Sequence, residues 1–312
     1  MFITKFFKLF PPPKFLNIPY AGIDISDDAI RCIEYHEGIH GLTIRKFATR
    51  QLEPGVVESG YIKNEAVLVK IIQDLVKELH ISHVKVSLPE ERMYLFKTEV
   101  PTKDPDEIRQ NIEFKLEENV PLPSSEALFF FDILPESISN GKNLVSVSVA
   151  PRGLVDFYLK VLESAGVTVF AFEIQPKAIA RAVVTKNNSE TLMLVHAADK
   201  KAGIYIVCAN VVCFTSTITL DLGNEIVALQ REISRVFDYW ADYGQGGGIS
   251  KIILSGKKAL DFSKQPNLSP SPTLPVEVAQ IWKNAFSNNH YVPPVSYEDS
   301  LGYAIAAGLA LP

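Results

Sequence analysis

Asp24 and Ser26 are the residues whose type and spacing best suit chemistry. They stand in the stretch Gly22-Ile23-Asp24-Ile25-Ser26-Asp27-Asp28-Ala29-Ile30. Ile23 and Ile25 alternate with Asp24, the pattern of a strand. Ser26-Asp27-Asp28 is turn-forming, and Ile30, Cys32 and Ile33 then resume the apolar pattern. A carboxylate at the end of a buried strand, beside a turn whose N–H groups face outward, can hold a metal–phosphate unit. An ordinary acidic hairpin turn reads the same way and is the commoner case.

Other chemistry finds little support. Among the six histidines, His36 with His40 and His80 with His83 have metal-ligand spacing. No suitably placed carboxylate or cysteine completes either set. The three cysteines, Cys32, Cys208 and Cys213, include no C-x-x-C pair, which fits a reducing compartment. Cys208 and Cys213 fit the two arms of one hairpin. There is no G-x-S-x-G, no P-loop and no H-E-x-x-H. The chain has 312 residues, 47% hydrophobic, with a net charge of -5. That suits one large or two ordinary domains and argues against general nucleic-acid binding. No apolar run is long enough for a spanning helix.

Residues 1–18 stand apart. Phe2, Ile3, Phe6, Phe7 and Phe10 fall on one helical face, with Lys5 and Lys8 off it, and Pro11-Pro12-Pro13 stops any helix. The broken apolar run and the missing cleavage site exclude a secretory signal. The segment is expected to touch a membrane surface, a partner or its own body.

Certain elements must position Asp24. After the first hairpin, 41–49 reads as a third strand. Asn64 caps a helix carrying Leu68, Ile71, Ile72, Leu75, Val76 and Leu79, and 84–88 is a strand. Tyr94–Val100 is a further strand. Asp104-Pro105-Asp106-Glu107 is a helix start: an N-cap, proline at the first position and an early acid. That helix turns Ile108, Ile112 and Leu116 inward. Strands follow at 128–134 and 144–150, then a helix over 152–165 closed by Gly166. A strand over 167–172 and a helix over 176–185 lead to a hinge at 186–189. Beyond it come strands at 192–196, 204–207, 211–214 and 251–255, with a helix over 225–243 between the last two. A Pro- and Ser-rich loop fills 265–275, and one buried helix is expected over 300–310.

Gly22-Ile23-Asp24-Ile25-Ser26 resembles the first phosphate motif of the actin-like ATPases. The chain is similar in particular to the PilM family of type IV pilus assembly, a relative of FtsA. Three later stretches support this in order. They are Glu113-Phe114 to Pro121-Leu122-Pro123, Arg231-Glu232-Ile233-Ser234-Arg235 to Ser255-Gly256, and Ala304-Ile305-Ala306-Ala307-Gly308-Leu309-Ala310-Leu311. The resemblance runs from about Pro19 to the end.

It implies an α/β actin-like fold of duplicated ribonuclease-H-like halves, with an inserted α+β subdomain of the FtsA and PilM type. The first half is then 19–88 with 168–187, the insertion 89–167, and the second half 188–312. Gly223 runs almost directly into the helix of Glu232, so the second half is expected to be reduced.

The resemblance also implies an ATP–magnesium site. Asp24 and Ser26 would form its first phosphate loop, and Ser255 with Gly256 its adenosine loop. The second phosphate loop departs from the pattern, with His196 at the carboxylate position and Ala198 at the glycine position. Lys200 and Lys201 there read as solvated turn lysines. Lys257 and Lys258 would crowd an adenine. Robust hydrolysis is therefore not expected, and no catalytic residue is assigned.

The function implied is a cytoplasmic adaptor, peripheral to the inner membrane, that binds the N-terminal peptide of a PilN-like protein. Phe96, Ile112 and Leu116 are candidates for that contact. An active actin-like ATPase, an FtsA-like cell-division protein and a type II secretion platform protein remain alternatives.

Overall fold

The computed structural model describes residues 18–38, 41–137, 142–244, 247–286 and 291–312. Residues 1–17, and with them Phe2, Phe6, Phe7 and Phe10, lie outside the described residues.

Two five-stranded sheets share one topology. The first half contributes β1 (Ala21–Ile25), β2 (Ala29–Gly38), β3 (Gly41–Gln51), the short pair β4 (Val57–Glu58) and β5 (Tyr61–Ile62), α1 (Glu65–Leu79) and β6 (His83–Leu88). An inserted unit follows: β7 (Tyr94–Val100), α2 (Pro105–Asn119), β8 (Ala127–Ser137) and β9 (Asn143–Pro151). The chain then runs through α3 (Arg152–Ser164), β10 (Thr168–Ile174) and α4 (Gln175–Val183). The second half is β11 (Thr191–Ala197), β12 (Lys201–Cys208), β13 (Val211–Thr219), α5 (Glu225–Tyr243), β14 (Ile249–Ser255), α6 (Ala259–Ser263), β15 (Val276–Val278), α7 (Tyr297–Leu301) and α8 (Ala304–Ala310).

The first sheet has the order β10-β6-β1-β2-β3 and the second the order β15-β14-β11-β12-β13. In each, three strands form an antiparallel meander, the fourth pairs parallel with the first, and the fifth pairs parallel with the fourth. The expected duplication is thus present in topology, although the two halves share no visible sequence repeat. The fold is actin-like, with an insertion between β6 and α3.

Local signals account for the helices. Asn64 Oδ1 accepts the Val67 N–H at 3.2 Å, and Asp104 Oδ1 accepts those of Asp106 and Glu107 at 3.0 and 3.2 Å. Such a cap stabilises a helix by about 1 kcal/mol. Leu68, Ile72, Leu75 and Val76 bury one face of α1.

Three apolar cores result. One joins the second sheet to α4, α5 and α8, one lies between the first sheet, α1 and α3, and one fills the space between β7–β9 and α2. Residues 89–167 therefore divide between two cores, because α3 buries Tyr158, Val161 and Leu162 with the first sheet. β13 passes to α5 through residues 220–224 alone, as the short gap before Glu232 predicts.

The C-terminal helix differs from expectation. It is two pieces, broken at Gly302 and Tyr303, and only α8 is buried on all sides. α8 packs on α4 so closely that a Cβ on Gly308 would stand 1.8 Å from the Ala178 carbonyl oxygen. Glycine is required for that approach. α4 and α8 end their respective halves in sequence, and their contact joins the halves.

Candidate functional site

The β1–β2 and β11–β12 turns face one another across the cleft. Asp24 ends inward from β1 and is 1% exposed. Its Oδ2 accepts the Ser26 hydroxyl at 2.6 Å. Its Oδ1 accepts the Ser87 hydroxyl from β6 at 2.8 Å and the Gln175 amide from α4 at 3.2 Å. Arg31 Nη1 lies 4.0 Å away. Burial raises the Asp24 carboxyl above its usual range, and the opposing effect of Arg31 does not cancel it. Arg31 spends its closer contact on Asp28, at 2.7 Å. That pairing outweighs burial and holds the Asp28 carboxyl low. Both Asp24 oxygens are thus engaged inside the first half.

The second turn holds a different group. His196 sits on β11 opposite Ser255 of β14, with Nδ1 3.0 Å from the Ser255 hydroxyl. Burial, aided by the Arg31 charge, lowers its pKa to about 3. The imidazole is therefore neutral at physiological pH, where an acidic residue would bring a negative charge to a cation.

Ser255 and Gly256 have structural work at the same place. Gly256 has φ +89°, and a Cβ there would meet the Ala197 carbonyl oxygen at 2.4 Å. Only glycine allows the turn after β14 to close on β11. The next two lysines are paired, Lys257 to Asp199 and Lys258 to Glu225, each at 2.7 Å. Lys258 thereby ties the turn after β14 to the first turn of α5.

Between the halves lies a cleft of about 550 Å³, with a smaller lobe of about 190 Å³ beside it. Asp27, Lys200 and Lys201 line both spaces, whereas Asp24, His196, Ser255 and Gly256 line neither. Lys200 is exposed, as expected of a turn lysine. Lys201 is not, because it reaches Glu91 at 2.7 Å. The sequence carried no signal for that pairing. Ser87 and Gln175 were also missed, since only the fold brings them to Asp24. Among the described residues, no cluster of three or more His, Cys, Asp or Glu could hold a metal.

The partner-contact candidates need correction. Ile112 and Leu116 are 0% and 1% exposed and form the core of the inserted unit with Val145, Val147 and Val149. Phe96 is half-buried against the same core. They hold α2 on its sheet and offer a partner little surface. Accessible backbone is found elsewhere. β8 is an edge of the inserted sheet and β10 an edge of the first sheet. Lys177 of α4, just beyond β10, binds both Asp132 oxygens on β8 at 2.9 and 2.8 Å and lies 5.3 Å from the Phe130 ring centre. Lys177 thereby ties α4 to the β8 edge. Ile133 on β8 and Phe170 on β10 are exposed by 40% and 43%. No helix among the described residues is long and apolar enough to cross a membrane.

A family model described as type IV pilus assembly protein PilM matches residues 22–219. Among solved structures, the PilM–PilN type IV pilus biogenesis complex contains a similar chain. It matches with a TM-score of 0.78 at 17% identity, over 94% of this chain and 98% of that one. The cytoplasmic domain of EpsL, an inner membrane component of the type II secretion system of Vibrio cholerae, has a TM-score of 0.52 at 11% identity, over 92% and 94%. The ethanolamine utilization protein EutJ of Carboxydothermus hydrogenoformans also scores 0.52, at 12% identity over 96% and 90%. These likenesses are likenesses of fold. No curated protein matches the chain in sequence.

Proposed function

The chain belongs to the family of type IV pilus assembly protein PilM, and from that premise we propose that it is a cytoplasmic adaptor at the inner membrane which does not work by ATP hydrolysis. Its task is to hold the N-terminal peptide of a PilN-like membrane protein. The single observation that carries the first part is Asp24. The one carboxylate that the phosphate motif supplies has both oxygens occupied by Ser26, Ser87 and Gln175, and it faces neither lobe of the cleft.

The other residues agree. His196 is neutral, and Lys257 and Lys258 are spent on Asp199 and Glu225. The motif residues do not fit a magnesium nucleotide: they offer hydrogen-bonded, ion-paired or neutral groups where a di-anionic phosphate and its cation need open ligands.

The partnership is supported by the PilM–PilN complex, whose PilM-type chain shares this fold. The edges of β8 and β10 give the physical mode. An extended peptide can add as a strand to such an edge, its backbone supplying the hydrogen bonds and its alternate side chains the specificity. We place the peptide along the β8 edge, beside Lys177 and Asp132, with Phe130 and Ile133 as its apolar contacts. Affinity is expected to be modest, because a flexible peptide must be ordered on binding.

Fluorescence anisotropy with a labelled N-terminal peptide of a PilN-like protein tests this. Ile133→Lys is expected to weaken binding about tenfold or more, as burying one lysine charge would require. Undiminished binding by this variant would move the contact away from β8.

A further inference from the structure

Glu90 and Glu91 form one 3-10 turn, Glu90–Arg92, just past β6, and both reach across the cleft. Glu90 is 9% exposed. Its Oε1 accepts the Thr217 hydroxyl from β13 at 2.7 Å, and the Tyr205 hydroxyl of β12 also bonds to this carboxyl. Glu91 Oε1 receives the Lys201 ammonium at 2.7 Å. The same ammonium lies 3.8 Å from Asp27 Oδ2 in the β1–β2 turn. Asp27 is itself fixed, since its two oxygens accept the backbone N–H groups of Ser59 at 3.0 Å and Gly60 at 3.2 Å. One ammonium of the second half therefore touches two carboxylates of the first.

The pairing is sheltered. The side chains of Lys201, Glu91 and Asp27 are 20%, 15% and 24% exposed. Burial disfavours the Lys201 charge, but Glu91 and then Asp27 more than compensate. Ion pairs with so little water around them are screened far less than surface pairs, and removing one partner strands the other charge.

We propose that Lys201 is the resident cation of this cleft: its ammonium holds the Glu91 and Asp27 carboxylates of the first half against the second half, so the chain closes its own cleft without a metal or nucleotide. A fold whose halves usually meet around a bound metal–phosphate would otherwise need such a ligand to stay shut. Here the second turn carries its positive charge covalently. Glu90, held by Thr217 and Tyr205, is the second tooth of the same clasp. The inference rests on the reading that the cleft is not fitted to magnesium nucleotide. It is independent of where the peptide binds.

Amide hydrogen exchange on the full chain, without nucleotide, tests it. Lys201→Ala is expected to speed exchange about tenfold around residues 90–92 and 212–219, as local opening of the cleft requires. Magnesium ion should slow that exchange again in Lys201→Ala, where Asp27 and Glu91 have lost their cation, and should leave the wild type unchanged. Glu91→Gln, which keeps the lysine, should open the same segments if Lys201→Ala fails to fold. Wild-type exchange in both variants, or no magnesium response in a folded Lys201→Ala, would overturn the clasp. Slowed exchange of the wild type with magnesium ATP would instead contradict the nucleotide reading, so the two failures are read in separate samples.

Discussion

His196 Nδ1 lies 3.0 Å from the hydroxyl of Ser255, and the two side chains close the end of the β11–β14 strand pair. A half-buried, neutral imidazole of this kind ties stability to pH. Its folded pKa of about 3 lies below the ordinary 6.5. The contribution is complete above 6.5 and is lost as pH falls from there toward 3, by up to about 1.4 kcal/mol per pH unit. Relative to the wild type, His196→Gln is expected to gain stability as pH falls from 7 to 5. Urea unfolding at the two values measures the difference. An equal change in both proteins would show that His196 is not held neutral.

Glu90 works in the opposite direction. Burial, the largest influence, pushes its pKa up to about 7 from an ordinary 4.5. The folded state keeps its proton longer than the unfolded chain, so this contribution is complete below 4.5 and is lost as pH rises through 7. Glu90→Gln should match the wild type near pH 4 and exceed it at pH 8. Between 4.5 and 6.5 the His196 and Glu90 slopes oppose each other in the wild type. Each single variant should therefore show a steeper profile across that window than the wild type does.

Asp24 is expected to matter for folding. Asp24→Ala leaves the Ser87 and Gln175 donors without their acceptor in a dry site, at a cost of about 2–4 kcal/mol. Chemical denaturation reads this loss, and peptide binding by the folded fraction should be unchanged. A neutral Asp24→Ala that lost a measurable ATP affinity would identify the carboxylate as a ligand group instead.

Ile112→Ala tests the corrected role of α2. The residue is fully buried between α2 and β7–β9. Truncation should cost about 2–4 kcal/mol, read as earlier loss of protection in residues 94–150 during hydrogen exchange. Wild-type stability with weakened peptide binding would return Ile112 to the partner surface.

Much of the fold was legible because local signals carried it. Asn64 and Asp104 marked their helices, Ile23 and Ile25 marked β1, and the apolar run 192–195 before His196 marked β11. Cys208 and Cys213 do stand on adjacent hairpin strands. β15 escaped notice because Val276–Val278 is too short to show a period. The break at Gly302 and Tyr303 was hidden inside a continuous apolar run. Ile112 and Leu116 were open to two readings, since a stripe facing a core and a stripe facing a partner have the same spacing. The site was less legible still. The pairing of Lys201 with Glu91 joins positions far apart in the chain, and no local pattern announces it. What the sequence did carry was the substitution at His196, visible because it stands where a carboxylate was expected.

The most direct test of the account is the affinity of the full chain for a PilN-like N-terminal peptide, measured by anisotropy with and without magnesium ATP. Coupling between sites is reciprocal, so a nucleotide that does not bind cannot change the peptide affinity. The account predicts saturable binding whose dissociation constant stays within about twofold when magnesium ATP is added, a difference under about 0.4 kcal/mol. No binding, or a shift of about tenfold or more with nucleotide, would contradict it.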